Sequence, residues 1–253
     1  MKKRGLVIVA LGLLVLGLAY MAMLSASNPW NATQLGEIPT PCGFKRVDAD
    51  DYCSFLRKLP IKKRGSKVHL YTGGVAHLQC LSLGVIDLPL LSNSEQCADV
   101  TMRVRAEYLW RSGQGARIVF SDVNGKQYPF KGGRDRKAIE QYLKATYERS
   151  NTASVYQETL PRAFGEVQPG DVFVYPSRRK GVYGHALLVA DVAKNRAGKI
   201  AVLCIEGNTP AREIHILRNQ LRPWSAWYIL KGDEDLLHLT PFTFKKGELR
   251  HYR

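Results

Sequence analysis

Two apolar runs constrain this chain most: HALLVADV (residues 185–192) and KIAVLCIE (residues 199–206), separated by a short polar turn around Arg196 and Ala197. A connection that short can only return the chain antiparallel, because a parallel neighbour needs a crossover of roughly a dozen residues or more. With the turn centred there, His185 falls opposite a position near Asn208. Side chains alternate along a strand, so Glu206 and Asn208 share the side of the sheet that His185 occupies. A register shift of two residues chooses between them. The run VQPGDVFVYP enters another strand through a Pro-Gly-Asp turn, and REIHIL and AWYIL extend the set.

The chain ahead of this sheet reads mainly as helix. SNSEQCADVTMRVRAEYLWRSGQG predicts a helix over about 95–111, with Ser92 or Ser94 as cap and Gly113 past its last turn. Ile139, Tyr142, Leu143 and Tyr147 recur at helical spacing within 135–150. Shorter helices are expected at 48–58 and in TASVYQETLPRAF, the latter broken at Pro161. KVHLYTG and AHLQCLSLGVIDL read as strands, and Asn124-Gly125 as the turn of a hairpin. A central helix followed by consecutive antiparallel strands is the α+β pattern.

The N-terminus addresses the compartment. Met1-Lys2-Lys3-Arg4 precedes an uncharged apolar run from Gly5 to Leu24, long enough for a membrane anchor. It also suits a signal peptide cleaved near Ser25-Ala26-Ser27. Residues 1–27 are therefore expected to be signal peptide or N-terminal transmembrane helix, and residues 28–253 a single exported domain, periplasmic or secreted into the cell envelope. No linker-like tract and no internal repeat divides it. The formal charge of +15 favours an anionic envelope polymer such as peptidoglycan as partner. Nucleic acid is not expected, since no basic stretch is interleaved with aromatic residues.

Five cysteines are an odd number for an oxidising compartment. Cys42 and Cys53 lie close together and form the expected disulfide; Cys80 and Cys204 sit in strand-like apolar runs and read as small core residues. Cys97 differs: it opens a helix, where unpaired backbone N–H groups favour a thiolate. With His185 as base and Glu206 as orienting residue, or Asn208 in its place, it supplies the parts of a cysteine hydrolase. His69, His77, His215, His238 and His251 compete with His185 for the role. No His/Cys/carboxylate cluster has ligand spacing, so neither a metal nor a cofactor is expected. Arg103 and Glu107 are spaced as a surface ion pair. Asp99 and Arg105 belong to a solvated face or a polar pocket, and Trp224, Trp227 and Tyr228 to core or rim.

The motifs FLRKLP, QCADVTMRVRAEYL, GHALLVADVA, TPAREIHIL and PWSAWY resemble an uncharacterised family of exported bacterial proteins common in Bacteroidetes, which carries a domain of unknown function. That resemblance implies one domain in the envelope and no particular reaction. Cys97 at a helix start, QPGDV and GHALLV are also similar to papain-like NlpC-type wall hydrolases and CHAP-type amidases. That second resemblance implies a papain-like core, its helix-start cysteine packed on an antiparallel sheet, with Cys97 as nucleophile, His185 as base and Glu206 as orienting residue. It departs in lacking an Asp-Cys-Ser-Gly start and in the long interval from Cys97 to His185. The function expected is hydrolysis or acyl transfer at envelope amide bonds; the alternative is a non-catalytic envelope binding protein on the same fold.

Overall fold

The computed structural model describes residues 2–252. The apolar N-terminal run is helix α1 (Lys2–Ser25), with Leu11, Leu14, Leu18 and Met21 all exposed. Among the described residues no helix is long and apolar enough to cross a membrane, which corrects the expectation of a transmembrane helix.

The rest is α+β. Strand β1 (Phe44–Arg46) precedes α2 (Asp51–Arg57), whose cap Asp50 accepts from Cys53 N at 2.7 Å. Strand β2 (Ser82–Val85) leads to the long helix α3 (Cys97–Arg111). The hairpin β3 (Val119–Ser121) and β4 (Gln127–Pro129) turns at Gly125, whose φ of 82° suits glycine. Helices α4 (Arg136–Tyr147) and α5 (Thr152–Glu158) follow, then β5 (Thr159–Pro161), β6 (Val172–Tyr175), β7 (His185–Asn195) and β8 (Ile200–Glu206). The chain ends in β9 (His215–Leu217), β10 (Trp227–Leu230), the hairpin β11 (Leu236–Leu239) and β12 (Phe242–Lys245), and β13 (Leu249–Tyr252).

Nine strands form one sheet, ordered β2-β9-β8-β7-β6-β13-β5, with β1 added to β7 and β10 to β8. Every pairing in it is antiparallel. The sheet is buried on both faces, because β7 and β8 are apolar at nearly every position. Ala186, Leu188 and Ala190 of β7 join a core with α2 and α3, while Leu187 and Val189 join a second core with the β11–β12 hairpin. The pairing carries a bulge between Val189 and Asp191. One inserted residue reverses the alternation, so Ala193 continues the first core and Val192 the second. Beside the bulge, buried Asp191 binds Arg46 of β1 at 2.6 Å and Arg57 of α2 at 2.8 Å.

Three expectations need correcting. The strand at 76–88 shrinks to Ser82–Val85, because Leu78 takes a left-handed conformation and Cys80 lies in a 3-10 turn. The bridge from Cys42 to Cys53 is absent and both thiols are free. Cys53 is buried in α2 whereas Cys42 is exposed ahead of β1. Arg103 and Glu107 are not a surface pair, for each is 1% exposed. Sheet packs one side of α3, and α4, α5 and the segment before it cover the rest. Arg103 donates to Pro89 O at 2.7 Å and Glu95 at 2.8 Å, and Glu107 binds Arg136 at 2.8 Å. A buried charge needs such partners.

Candidate active site

Helix α3 opens at Cys97 because Gln96 ahead of it is extended and donates its N–H to Asp99 Oδ2 at 2.8 Å. Cys97 is the first helical residue, His185 the first of β7 and Glu206 the last of β8. Their exposures are 7%, 5% and 1%. His185 Nε2 lies 2.6 Å from Glu206 Oε2, and Cys97 stands near enough to the same imidazole to favour its charged form. With Nε2 engaged by the carboxylate, Nδ1 is the nitrogen left for sulfur. Leu188 pairs with Ile205, the register read from the turn. Asn208 Oδ1 instead accepts from Thr209 N at 2.8 Å.

Two contacts escaped the sequence reading. His215 lies directly across the β8–β9 pair from Glu206 and places Nε2 3.1 Å from Glu206 Oε1. Its Nδ1 stands 3.1 Å from Glu213 O. The carboxylate is thus held between two imidazoles. The alternation in REIHIL was the available signal, had β9 been paired beside β8. Phe242 of β12 stacks on His185 with centroids 3.6 Å apart and planes 12° from parallel. Nothing in the sequence pointed to it, since the β11–β12 hairpin itself was not foreseen. His69 and His238 are engaged elsewhere, at Glu213 and Thr243.

Electrostatics favour the charged pair. Burial opposes a charged His185, but hydrogen bonds and charge from Cys97 and Glu206 outweigh it and hold the imidazole up at about 9. Burial likewise works against an ionised Glu206, yet His185 and His215 bring its carboxyl down to about 2. At neutral pH an imidazolium therefore faces the cysteine sulfur.

Glycines let helix start and strand ends meet. A Cβ on Gly184 would lie 2.5 Å from Tyr175 O and closer still to Thr152 Oγ1; one on Gly207 would lie 2.7 Å from Val100 Cγ2 and 3.2 Å from Gln96 O. Gly207→Ala is expected to cost about 1–3 kcal/mol by pushing β8 off α3, and to weaken the His185–Glu206 contact. Urea unfolding checks the first effect, and the His185 ring titration followed by NMR checks the second. Against Cys97 opens a cleft of about 670 Å³, bordered by Gln96, Asp99, Thr152, Tyr183 and Thr209. The arrangement supplies a thiol, a base and a fixed carboxylate at the head of a cleft. Among the described residues no group of His, Cys, Asp and Glu is placed to hold a metal ion.

A family model described as Domain of unknown function (4846) matches residues 36–134 and 130–251. No curated protein and no solved structure matches the chain. The matched residues cover nearly everything after α1, and the chain belongs to that family.

Proposed function

We propose that this member of the family is a cysteine hydrolase or acyltransferase with a papain-like core, acting on amide bonds of the cell envelope. Peptidoglycan peptides are the leading substrate. One observation carries the reading. Cys97, His185 and Glu206, from three separate elements, converge on one point: the carboxylate meets the imidazole at 2.6 Å, Cys97 acts on the same ring, and Cys97 lines a cleft.

In the proposed reaction the Cys97 thiolate attacks the amide carbon, and the unpaired N–H groups opening α3 face the developing oxyanion. The His185 imidazolium gives its proton to the leaving amine as the C–N bond breaks, leaving a thioester on Cys97. Neutral His185 then takes a proton from water, or from an acceptor amine, as that group attacks the thioester and sulfur departs. Glu206 holds Nε2–H throughout, and Phe242 covers one ring face. Both keep Nδ1 aimed at sulfur and leaving group. The basic surface surplus (37 Lys and Arg against 22 Asp and Glu) suits an anionic wall or membrane surface around that substrate. In this reading an N-terminal signal delivers the domain there.

Exposure gives a test. Cys42 is exposed, Cys80 intermediate and Cys97 buried. Accessibility alone therefore ranks Cys97 below Cys42 and Cys80. Brief treatment with a thiol-acylating probe, followed by peptide mapping, is expected to place the acyl group on Cys97 ahead of Cys42, and to lose that preference in His185→Ala. Modification that simply follows exposure sinks the reading and leaves a binding protein.

A further inference from the structure

Outside α1, the most exposed large apolar side chains among the described residues are Leu221, Tyr183, Leu78 and Trp224, at 88%, 81%, 65% and 60%. Tyr183 borders the Cys97 cleft. The other three meet on one surface, distant in sequence but joined by hydrogen bonds. Arg218 N donates to Leu81 O at 2.8 Å and Gln220 Nε2 to Cys80 O at 2.9 Å. The loop carrying Leu221 and Trp224 therefore lies against the turn that follows Leu78. The buried Arg218 guanidinium also donates to Pro223 O at 2.6 Å, to Ser82 O at 2.7 Å and to Ala26 O. Leu78 has a φ of 59°, a conformation uncommon for leucine. Large apolar side chains gathered on a surface in this way mark a contact.

The nature of the partner follows from charge and from the path of the chain. Residues 52–86 and 214–232, which supply this surface, contain no aspartate or glutamate. Gly65 N donates to Ser27 O at 3.0 Å, which brings the basic run Lys62-Lys63-Arg64 to the same place. Lys62 is taken by Glu213 at 2.5 Å, while Lys63, Arg64, Lys67 and Arg222 are exposed. Through Ala26 and Ser27 the apolar helix α1, with Leu11, Leu14, Leu18 and Met21 exposed, also leaves the domain here. An anionic polymer in water would satisfy the cations and leave the leucines and the tryptophan wet. A second copy packed on this face would set like charges against each other. An anionic bilayer answers both needs, with apolar tips in the acyl boundary and cations at the phosphates. Tryptophan suits that boundary, being apolar at one end and polar at the other.

We propose that the face formed by Lys63, Arg64, Lys67, Leu78, Leu221 and Trp224 docks the domain on an anionic lipid bilayer. Leu78, Leu221 and Trp224 enter the boundary between headgroups and acyl chains, and the basic residues meet lipid phosphates. Docking requires neither that α1 cross the bilayer nor that Cys97 be catalytic.

Tryptophan emission of the full chain, reconstituted into vesicles of phosphatidylcholine and phosphatidylglycerol, tests this. Bromine on the acyl chains quenches a tryptophan that reaches them. Of Trp30, Trp110, Trp224 and Trp227, Trp224 is the exposed one, so quenching is expected in the wild type and is expected to vanish in Trp224→Phe. Replacing Lys63, Arg64 and Lys67 together by serine should weaken docking roughly hundredfold, about fivefold per charge. High salt should release the wild type in the same way. Vesicles of phosphatidylcholine alone control for any tethering by α1. None of these residues borders the Cys97 cleft, so acylation of Cys97 should be unchanged in every variant, which shows that each is folded. Quenching that survives Trp224→Phe, or that is equal in charged and uncharged vesicles, overturns the proposal. So does Trp224 emission that ignores vesicles but shifts with isolated peptidoglycan or with protein concentration, since the face would then belong to wall polymer or to a second copy.

Discussion

Cys97→Ala is expected to abolish acyl transfer, and His185→Ala to lower it by roughly four orders of magnitude or more, with the double variant no worse than either single. The losses do not add because thiolate and imidazolium act as one unit, and either alone is idle. Single-turnover release from muropeptides and from simple acyl esters provides the measurement. Cys97→Ala should unfold at nearly the wild-type denaturant midpoint, since it removes one sulfur at the rim of the cleft and leaves no large void. Activity that survives His185→Ala at the wild-type level would end the proposed mechanism, whatever happens to Cys97.

The second large effect is on stability and falls at Glu206. Glu206→Ala leaves His185 and His215 facing each other in a buried site with no carboxylate between them. Breaking a buried pair at one end costs about 3–5 kcal/mol. Glu206→Gln should cost less, because the amide oxygen still accepts from His185 Nε2. The pH dependence carries a sign. His185 is raised from 6.5 to about 9, so its stabilisation is complete below pH 6.5 and fades as pH rises through about 9. Glu206 is lowered from 4.5 to about 2, so its stabilisation is present above pH 4.5 and fades as pH falls toward 2. Urea unfolding followed from acid to alkaline pH should show both slopes in the wild type and a flatter curve in Glu206→Gln. Equal slopes in the two proteins would mean that the carboxylate does not tie the imidazole.

What the sequence revealed was local. The helix that carries Cys97 is legible from its spacing, but the sequence starts it near residue 95 with Ser92 or Ser94 as cap, whereas Gln96 is the cap and Cys97 the first helical residue. The β7–β8 pairing follows from a short turn, which puts Glu206 and Asn208 on the side of His185 and leaves the choice between them to a register shift of two residues. His215 was missed because the β8–β9 connection, through Gly207 to Ile214, is irregular and fixes no register. Phe242 and the burial of Arg103, Glu107 and Asp99 depend on which segments cover α3 and the strand ends. Spacing along one helix carries no trace of that. An i, i+4 Arg and Glu read the same on a wet face as in a core. The Cys42–Cys53 expectation failed for a related reason: closeness in sequence says nothing about which way a thiol points once α2 has packed.

The bulge in β7 divides that strand into two addresses. Residues before it are in phase with the helix-start cysteine and the Phe242 lid; residues after it are in phase with the Asp191 clasp to Arg46 and Arg57. Deleting Ala190 would restore an unbroken alternation and force one half to the wrong face, either unseating the clasp or turning His185 away from sulfur. Each half can instead accept changes without disturbing the phase of the other. A designer moving this site to another sheet would have to carry the slip along with the residues, because alignment by hydrophobic pattern alone would place the histidine and the clasp one step out of phase.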